Sequence, residues 1–199
     1  MTKTTTIDLM RHGEPVGGRR YRGQIDDPLS DKGWSQMRQA VAGHSPWKTI
    51  ISSPLRRCSE FARELSEQLE IALEFDTRLK EVGFGTWEGL TGDQVQKLDD
   101  QALQKFYNDP TTHRPAGAEP LDAFSERVNQ AYLDIVHRHA GQHILILTHA
   151  GVIRSILQET LLAPLASMYR ISIDTASLTR IQISSERPPT VQFVGRSSI

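Results

Sequence analysis

A short apolar run leads directly into a basic residue and a histidine near the start of the sequence. Ile7, Leu9 and Met10 precede Arg11-His12-Gly13. A short run of this kind that stops at a glycine is typical of a buried strand followed by a turn. In open α/β sheets, ligands bind at the carboxyl ends of the strands. The segment therefore predicts a strand that carries a guanidinium and an imidazole to a binding site.

A second apolar run, His143–Thr148, ends in the same way, at His149-Ala150-Gly151. Between the two runs, apolar segments such as Thr49–Ser52 alternate with stretches of helical periodicity. This alternation predicts an α/β fold with three layers, α/β/α, around a mostly parallel central sheet. Because parallel strands end at the same edge of a sheet, we expect His12 and His149 to share one pocket.

Apolar residues spaced three and four apart predict the helices, and short apolar or alternating segments predict the strands. Ser53 is the predicted N-cap of the second helix, with Pro54 at its first position, and Cys58 lies on the apolar face of that helix. We interpret Cys58 as a core residue; a reactive thiol is the alternative. The predicted helices cover about 31–42, 54–70, 91–108, 121–140 and 152–162, and the predicted strands 5–10, 49–52, 71–75, 143–148, 169–174, 177–184 and 191–194.

Length and charge limit the classes of function. A chain of 199 residues suits a single domain spanning 1–199. The net charge of −1 argues against a nucleic acid partner. Several arginines nevertheless fall in the first third of the chain, and they form either a local anion pocket or a solvated surface. They are Arg11, Arg19, Arg20, Arg22, Arg56 and Arg57.

Cysteine content and apolar runs bear on the cellular compartment. One cysteine allows neither an internal disulfide nor a cysteine-based metal site. The N-terminal residues contain no apolar signal region, and no apolar run approaches the length of a membrane span. These features favour a cytoplasmic protein with no membrane partner. His137, His139 and His143 could suggest a metal site, but the surface of a helix end is the preferred interpretation.

Four blocks of residues together resemble the histidine phosphatase superfamily, in its phosphoglycerate-mutase-like branch. The resemblance runs from about residue 5 to residue 160 and implies the phosphoglycerate-mutase-like fold. The blocks are Arg11-His12-Gly13-Glu14, Ser52-Ser53-Pro54-Leu55-Arg56-Arg57, Glu81 before Gly83-Phe84-Gly85-Thr86-Trp87-Glu88-Gly89, and Thr148-His149-Ala150-Gly151.

The resemblance implies a role for each residue of the motif. His12 would be the nucleophile that becomes phosphohistidine, with Arg11 and Arg57 binding the phosphoryl oxygens. His149 would donate to the same oxygens, and Glu81 would act as general acid and then as base. Charge neutralisation and positioning are what phosphoryl transfer requires, so this set implies no cofactor and no metal.

Two choices within the motif leave alternatives. Arg57 is preferred to Arg56 because the motif places the ligand arginine second; Arg56 would then be a surface residue or a second phosphate contact. Glu81 is preferred to Glu88 as the acid, and Glu88 would support the loop. Pro15 stands in the region where many members have a hydroxyl residue and an asparagine.

Within the family, the loop after His12 is most similar to that of α-ribazole phosphatase, which removes the 5′-phosphate of α-ribazole phosphate in cobalamin assembly. The similarity lies in Tyr21-Arg22-Gly23 followed by Asp27-Pro28-Leu29-Ser30. The predicted contacts to a small phosphorylated substrate are therefore Gly18, Tyr21, Arg22 and Gly23 beside the motif residues. The alternatives are a broad-specificity phosphatase, a mutase, for which the chain is short, and a non-catalytic phospho-ligand-binding module. A homodimer is also left open.

Overall fold

One mixed sheet forms the centre of the computed structural model, which describes residues 4–43 and 46–198. Six strands of these residues lie in the order β3-β2-β4-β1-β5-β6. The first four strands along the chain are parallel to one another. Strand β5 is antiparallel to β1, and β6 is antiparallel to β5. The strands are β1 Thr5–Arg11, β2 Thr49–Ser52, β3 Ala72–Phe75, β4 His143–Thr148, β5 Leu178–Ile183 and β6 Thr190–Arg196.

Helices cover both faces of the sheet because the buried strand residues alternate between the two faces. Ile7 and Leu9 of β1 belong to an apolar cluster with the helices over 121–138 and 150–160, whereas Met10 packs in a second cluster with the helices over 31–41 and 56–69. The predicted three-layer architecture with a mostly parallel sheet is thereby confirmed. Among the described residues the helices are α1 Asp31–Val41, α2 Arg56–Leu69, α3 Gly92–Leu98, α4 Ala102–Asn108, α5 Leu121–Arg138 and α6 Ala150–Thr160. None of the described helices is long and apolar enough to cross a membrane.

The single helix predicted over 91–108 is wrong, because α3 and α4 are separate. The backbone is extended at Asp99, which ends α3, and the Asp99 carboxylate accepts a hydrogen bond from the backbone N–H of Gln101. A side chain that bonds to the local backbone competes with helical hydrogen bonding. Leu98, which helical periodicity would bury, has 74% of its surface exposed.

The strand predicted over 169–174 is also wrong. Leu165–Arg170 forms a 3-10 helix after Pro164, and the following residues are irregular. The carbonyls of Ile171 and Ile173 accept hydrogen bonds from arginine side chains. Bonds to side chains replace a strand ladder in this segment.

The position of β1 beside β4 creates the site. Arg11 is paired with Thr148 at the carboxyl ends of the two strands, and the His12 N–H donates to the Thr148 carbonyl at 3.0 Å. The chain leaves β1 toward α1 on one face and leaves β4 toward α6 on the other. Such a divergence opens a crevice at the carboxyl edge of a parallel sheet.

A buried ionic network ties the central strands together. Asp8 of β1 is fully buried, and its carboxylate accepts hydrogen bonds from Trp47 Nε1 (2.8 Å), His143 Nε2 (2.9 Å) and Arg180 Nε (2.7 Å). Burial opposes ionisation of Asp8, but the bonds from His143, Arg180 and Trp47 hold its pKa below the ordinary value. The carboxylate therefore links β4, β1 and β5.

The substitution Asp8→Asn is expected to lower the free energy of unfolding by about 3–5 kcal/mol, because it leaves the Arg180 guanidinium without its buried counter-ion. Urea denaturation at pH 7 measures the change. The matched control is Asp134→Asn, which removes an exposed ion pair with Arg78. This substitution should lower the free energy of unfolding by less than about 1 kcal/mol. Equal losses in the two variants would contradict a stabilising role for Asp8.

Candidate active site

A cavity of about 950 Å³ opens at the carboxyl ends of β1 and β4. Eight of the nine residues that the sequence predicts for the site line this cavity, and His149 is the one that does not. The predicted residues that line it are Arg11, His12, Gly18, Tyr21, Arg22, Gly23, Arg57 and Glu81. A volume of this size holds a phosphoryl group together with a sizeable leaving group.

His12 is buried at the bottom of this cavity with one ring nitrogen committed to the backbone. Nδ1 lies 2.7 Å from the carbonyl oxygen of Gly13, so Nδ1–H donates and Nε2 keeps its lone pair. Burial, followed by the charges of Arg57 and Arg11, lowers the pKa of His12 well below its usual value. The imidazole is therefore neutral at neutral pH, which is the form that a nucleophile requires.

The loop after His12 approaches α1 so closely that only glycine fits at position 13. A Cβ on Gly13 would lie 2.2 Å from the carbonyl oxygen of Gly33. Gly13 therefore both accepts the His12 hydrogen bond and allows the close contact with the helix.

Two arginines hold their guanidinium groups beside His12 through bonds to backbone carbonyls. Arg11 Nη1 donates to Ile173 O at 2.6 Å, and Arg57 donates to Ile25 O at 2.6 Å and Gly23 O at 2.8 Å. The Nε atoms of both arginines are buried without a hydrogen-bond partner in the described residues. Burial lowers the pKa of Arg11 to about 10, which leaves it charged at neutral pH. The pair forms a fixed anion-binding site.

His149 lies next to His12 but does not line the cavity. The two ring centroids are 5.2 Å apart, and His149 is completely buried. Its Nε2 is 2.8 Å from the Ser53 hydroxyl and 3.7 Å from the Cys58 sulfur. Direct donation from His149 to phosphoryl oxygens thus stays a prediction, while its contact with His12 is a feature of the structure.

Ser53 and Cys58 have positions that the sequence pattern did not fully predict. Helix α2 begins at Arg56 with Leu55 as N-cap, so the prediction of Ser53 as the N-cap is wrong. Its hydroxyl bonds to His149 instead. Cys58 is buried as expected, and burial raises the pKa of its thiol to about 12, which disfavours the reactive thiolate.

Glu81 lines the cavity beside the beginning of α6. Its carboxylate accepts hydrogen bonds from the backbone N–H groups of Val82 at 2.9 Å and Gly151 at 3.2 Å. A Cβ on Gly151 would lie 2.2 Å from Glu81 Oε1, so a larger residue there would displace the Glu81 carboxylate. The Arg127 side chain also donates to the Glu81 carbonyl at 3.2 Å and pairs with Glu119 at 2.7 Å. These bonds fix the segment that carries Glu81.

Glu88 takes the supporting position that the sequence favoured for it, and Arg56 takes the surface position, one of the two that the sequence left open. Glu88 Oε1 accepts hydrogen bonds from the backbone N–H groups of Gln24 and Phe84. Arg56 is exposed, pairs with Glu60 at 2.7 Å and does not line the cavity. The structure therefore separates Arg56 from Arg57, although the two are adjacent in the chain.

The loop residues predicted as substrate contacts form one side of the cavity mouth. Tyr21 Oη lies 2.8 Å from Tyr107 Oη, and Arg22 pairs with Asp27 at 3.0 Å. The Gly18 N–H donates to the Pro15 carbonyl at 3.3 Å, so this N–H is already used within the loop. The Gly18 amide is therefore a weaker candidate for a phosphate donor than the sequence suggested.

Several lining residues come from parts of the chain that sequence reasoning did not assign to the site. Arg154 lies on α6 and its guanidinium is over the Tyr169 ring, 5.4 Å from the ring centroid. Arg19 and Arg20 are exposed and also line the cavity. They therefore belong both to the solvated surface and to the predicted anion pocket. Only the spacing of Arg154, five residues after His149 on the next helix, could have indicated its position.

Because His12 and His149 are buried, we expect the free energy of unfolding to fall steeply in acid. Burial, followed by the charge of Arg57, also lowers the pKa of His149 well below its usual value. Below about pH 6.5 the unfolded chain binds protons at His12 and His149 that the folded chain does not bind. The free energy of unfolding should therefore fall with decreasing pH, by up to about 1.4 kcal/mol per pH unit for each histidine.

Urea denaturation of wild type and His12→Gln between pH 7 and pH 5 measures this effect. The slope of unfolding free energy against pH should be smaller in His12→Gln by up to about 1.4 kcal/mol per unit. His137→Gln, a substitution at an exposed histidine, should keep the full slope. An unchanged slope in His12→Gln would show that His12 titrates normally in the folded protein.

Comparison with known proteins identifies similarity over nearly the whole chain. The profile of the histidine phosphatase superfamily (branch 1) matches residues 7–195. The chain is 29% identical to the bifunctional protein Rv2228c of Mycobacterium tuberculosis over 97% of its own length and 54% of that protein. It thus spans about half the length of this relative.

Two relatives of comparable length carry phosphatase names. A putative phosphoserine phosphatase 2 of Hydrogenobacter thermophilus is 27% identical, covering 92% of each chain. The adenosylcobalamin/alpha-ribazole phosphatase of Salmonella typhimurium is 27% identical, covering 88% of this chain and 89% of that protein.

Solved structures agree with the fold. The mycobacterial glucosyl-3-phosphoglycerate phosphatase Rv2419c complexed with VO3 superposes with a TM-score of 0.86 at 26% identity, covering 96% of this chain and 98% of the other. The alpha-ribazole phosphatase of Shigella flexneri superposes with a TM-score of 0.82 at 25% identity, covering 98% of both chains. The predicted phosphoglycerate-mutase-like fold is confirmed.

Proposed function

The chain belongs to the histidine phosphatase superfamily, and on this premise we propose that it hydrolyses phosphomonoesters through a phosphohistidine on His12. The observation that carries the proposal is the His12 imidazole itself. Its Nδ1–H is bound to Gly13 O at 2.7 Å, which leaves Nε2 unprotonated, and it lines the same cavity as Arg11 and Arg57. A neutral nitrogen beside two guanidinium groups suits attack on a phosphoryl group.

In the first step, His12 Nε2 forms a bond to phosphorus as the ester P–O bond breaks. Arg11 and Arg57 neutralise the phosphoryl oxygens, and the Glu81 carboxylic acid gives its proton to the departing alkoxide. In the second step, the Glu81 carboxylate takes a proton from water, whose oxygen attacks phosphorus. The P–N bond breaks, and phosphate and free His12 are released. His149, packed against the His12 ring, stabilises the transition state.

We propose that this chemistry needs no metal ion, because guanidinium groups supply the positive charge that a cation would otherwise provide. Activity should therefore persist after prolonged dialysis against a chelator. Loss of activity that is restored by a divalent cation would overturn this part of the proposal.

Two classes of substrate have support. The loop Tyr21-Arg22-Gly23 and the α-ribazole phosphatases among the relatives favour α-ribazole 5′-phosphate. A carboxylate-bearing phosphomonoester is the second candidate, because other relatives are named as phosphatases of phosphoserine and glucosyl-3-phosphoglycerate. The cavity of about 950 Å³ accommodates either class.

Steady-state kinetics on a panel of phosphomonoesters tests the proposal. The panel contains 4-nitrophenyl phosphate, α-ribazole 5′-phosphate, O-phosphoserine and 3-phosphoglycerate, with release of inorganic phosphate as the measurement. Turnover of none of them would favour a non-catalytic phospho-ligand-binding module. Isomerisation of 3-phosphoglycerate that depends on a bisphosphate would favour a mutase, and a flat profile would favour a broad-specificity phosphatase.

A further inference from the structure

The cavity contains more guanidinium groups than the two that flank His12. Arg11 and Arg57 flank His12, and Arg19, Arg20 and Arg154 also line the walls. In residues 4–43 and 46–198, no carboxylate oxygen lies within 4 Å of any of these five guanidinium groups, although the whole chain has a net charge of −1. The carboxylates of Glu14, Glu81, Asp93 and Asp174 also line the cavity, so six arginines, including Arg22, stand against four carboxylates. The cavity therefore has an excess of positive charge, which attracts anionic groups.

Arg154 is the most firmly positioned of the additional arginines. Its Nε donates to the carbonyl of Ile171 at 2.8 Å, and its guanidinium lies over the Tyr169 ring at 5.4 Å from the centroid. The side chain is half-buried, whereas Arg19 and Arg20 are exposed. Its Nη1 and Nη2 make no hydrogen bond within the described part of the chain, so both remain available as donors in the planar arrangement that carboxylates prefer.

One short segment holds both Arg154 and the phosphoryl-binding Arg11. Arg154 donates to Ile171 O and Arg11 donates to Ile173 O. Two residues of fully extended chain span at most about 7 Å, so the two anchoring carbonyls are no farther apart than that. The charge of Arg154 also contributes to the lowered pKa of Arg11, which agrees with this proximity.

We propose that Arg154 binds a second anionic group on the alcohol portion of the substrate, joined to the phosphoryl group by a short spacer of the order of three carbon atoms. The inference rests on the proposed phosphatase function and names its substrate class: small phosphorylated acids. It ranks these acids above α-ribazole 5′-phosphate, whose alcohol carries no second acidic group. A long spacer would carry the second anion past Arg154.

Two phosphomonoesters that differ in one group test the inference. 3-Phosphoglycerate and glycerol 3-phosphate are both phosphate esters of a three-carbon alcohol. The first has a carboxylate where the second has a hydroxymethyl group. Wild type should prefer 3-phosphoglycerate in kcat/KM by about 10- to 100-fold, the range for one charge-assisted interaction. 6-Phosphogluconate, whose carboxylate lies at the end of a longer chain, should show a much smaller preference over sorbitol 6-phosphate.

Substitution of Arg154 assigns the preference to that residue. Arg154→Gln should abolish the preference for 3-phosphoglycerate, mainly through KM. The quantity compared is the ratio of kcat/KM for 3-phosphoglycerate to that for glycerol 3-phosphate within each variant, in which a loss common to both substrates cancels. Arg154→Lys should restore part of the preference, because it keeps the charge and loses the planar donor pair. Arg170→Gln is the matched control: Arg170 is exposed, sits on the neighbouring 3-10 helix and does not line the cavity.

The outcomes separate this inference from the proposed function. One outcome is that the protein hydrolyses 4-nitrophenyl phosphate but has equal kcat/KM for 3-phosphoglycerate and glycerol 3-phosphate. This result would overturn the second anion site and leave the proposed phosphatase function intact. A preference that survives Arg154→Gln would also overturn the role of Arg154. No turnover of any phosphomonoester by a folded protein would overturn the proposed function itself.

Discussion

His12→Ala is expected to lower kcat/KM on every phosphomonoester by at least ~10⁴-fold, because it removes the one imidazole that lines the cavity among the described residues. His149 cannot replace it: this ring does not line the cavity, and its Nε2 is 2.8 Å from the Ser53 hydroxyl. The loss should be the same for good and poor leaving groups. Initial rates of phosphate release measure it.

The covalent intermediate gives a second measurement of the same substitution. Rapid quenching of wild type during turnover, under alkaline conditions that preserve phosphohistidine, should yield protein heavier by one phosphoryl group. His12→Ala should yield none. His137→Ala, at an exposed histidine near the end of α5, should retain both activity and the intermediate. A phosphoryl group found on another residue of His12→Ala would assign the nucleophile elsewhere.

Sequence patterns predicted the parts of the site that are tied to regular elements. His12 follows a strand that is buried along most of its length, and Arg57 lies in the first turn of a strongly amphipathic helix. The position of each depends on local periodicity and on the rule that parallel strands end together. The same rule brought His149 to His12 across more than half of the chain.

The rest of the site depends on tertiary contacts that have no periodic signal. The segment after Pro164 reaches the cavity as a 3-10 helix and an irregular turn, and its carbonyls at Ile171 and Ile173 are recognised only when Arg154 and Arg11 are seen to bind them. Alternating apolar residues made this segment resemble a strand. Ser53 illustrates the same limit, since its sequence position suits a helix cap while its hydroxyl bonds to His149.

Glu81→Gln is expected to slow the hydrolysis of substrates with poor leaving groups by about 10²- to 10⁴-fold, the usual contribution of a general acid. Glutamine keeps the shape of the side chain and one of the two oxygens that accept from Val82 N and Gly151 N, so one of the two bonds that orient Glu81 is retained. It has no proton to give to an alkoxide. An alkyl phosphate such as glycerol 3-phosphate should therefore lose far more activity than 4-nitrophenyl phosphate, whose phenolate departs without protonation.

The ratio of the two losses is the quantity that decides the role of Glu81. Glu88→Gln provides the comparison, because Glu88 holds the backbone of Gln24 and Phe84 and touches no predicted reacting atom. Any disturbance of the loop should lower the rates on both substrates by the same factor. If Glu81→Gln also lowers both rates equally, Glu81 positions the beginning of α6 through Gly151 and another group supplies the proton. A loss confined to the alkyl phosphate would require a proton donor at Glu81 itself, since leaving-group selectivity cannot arise from a displaced helix end.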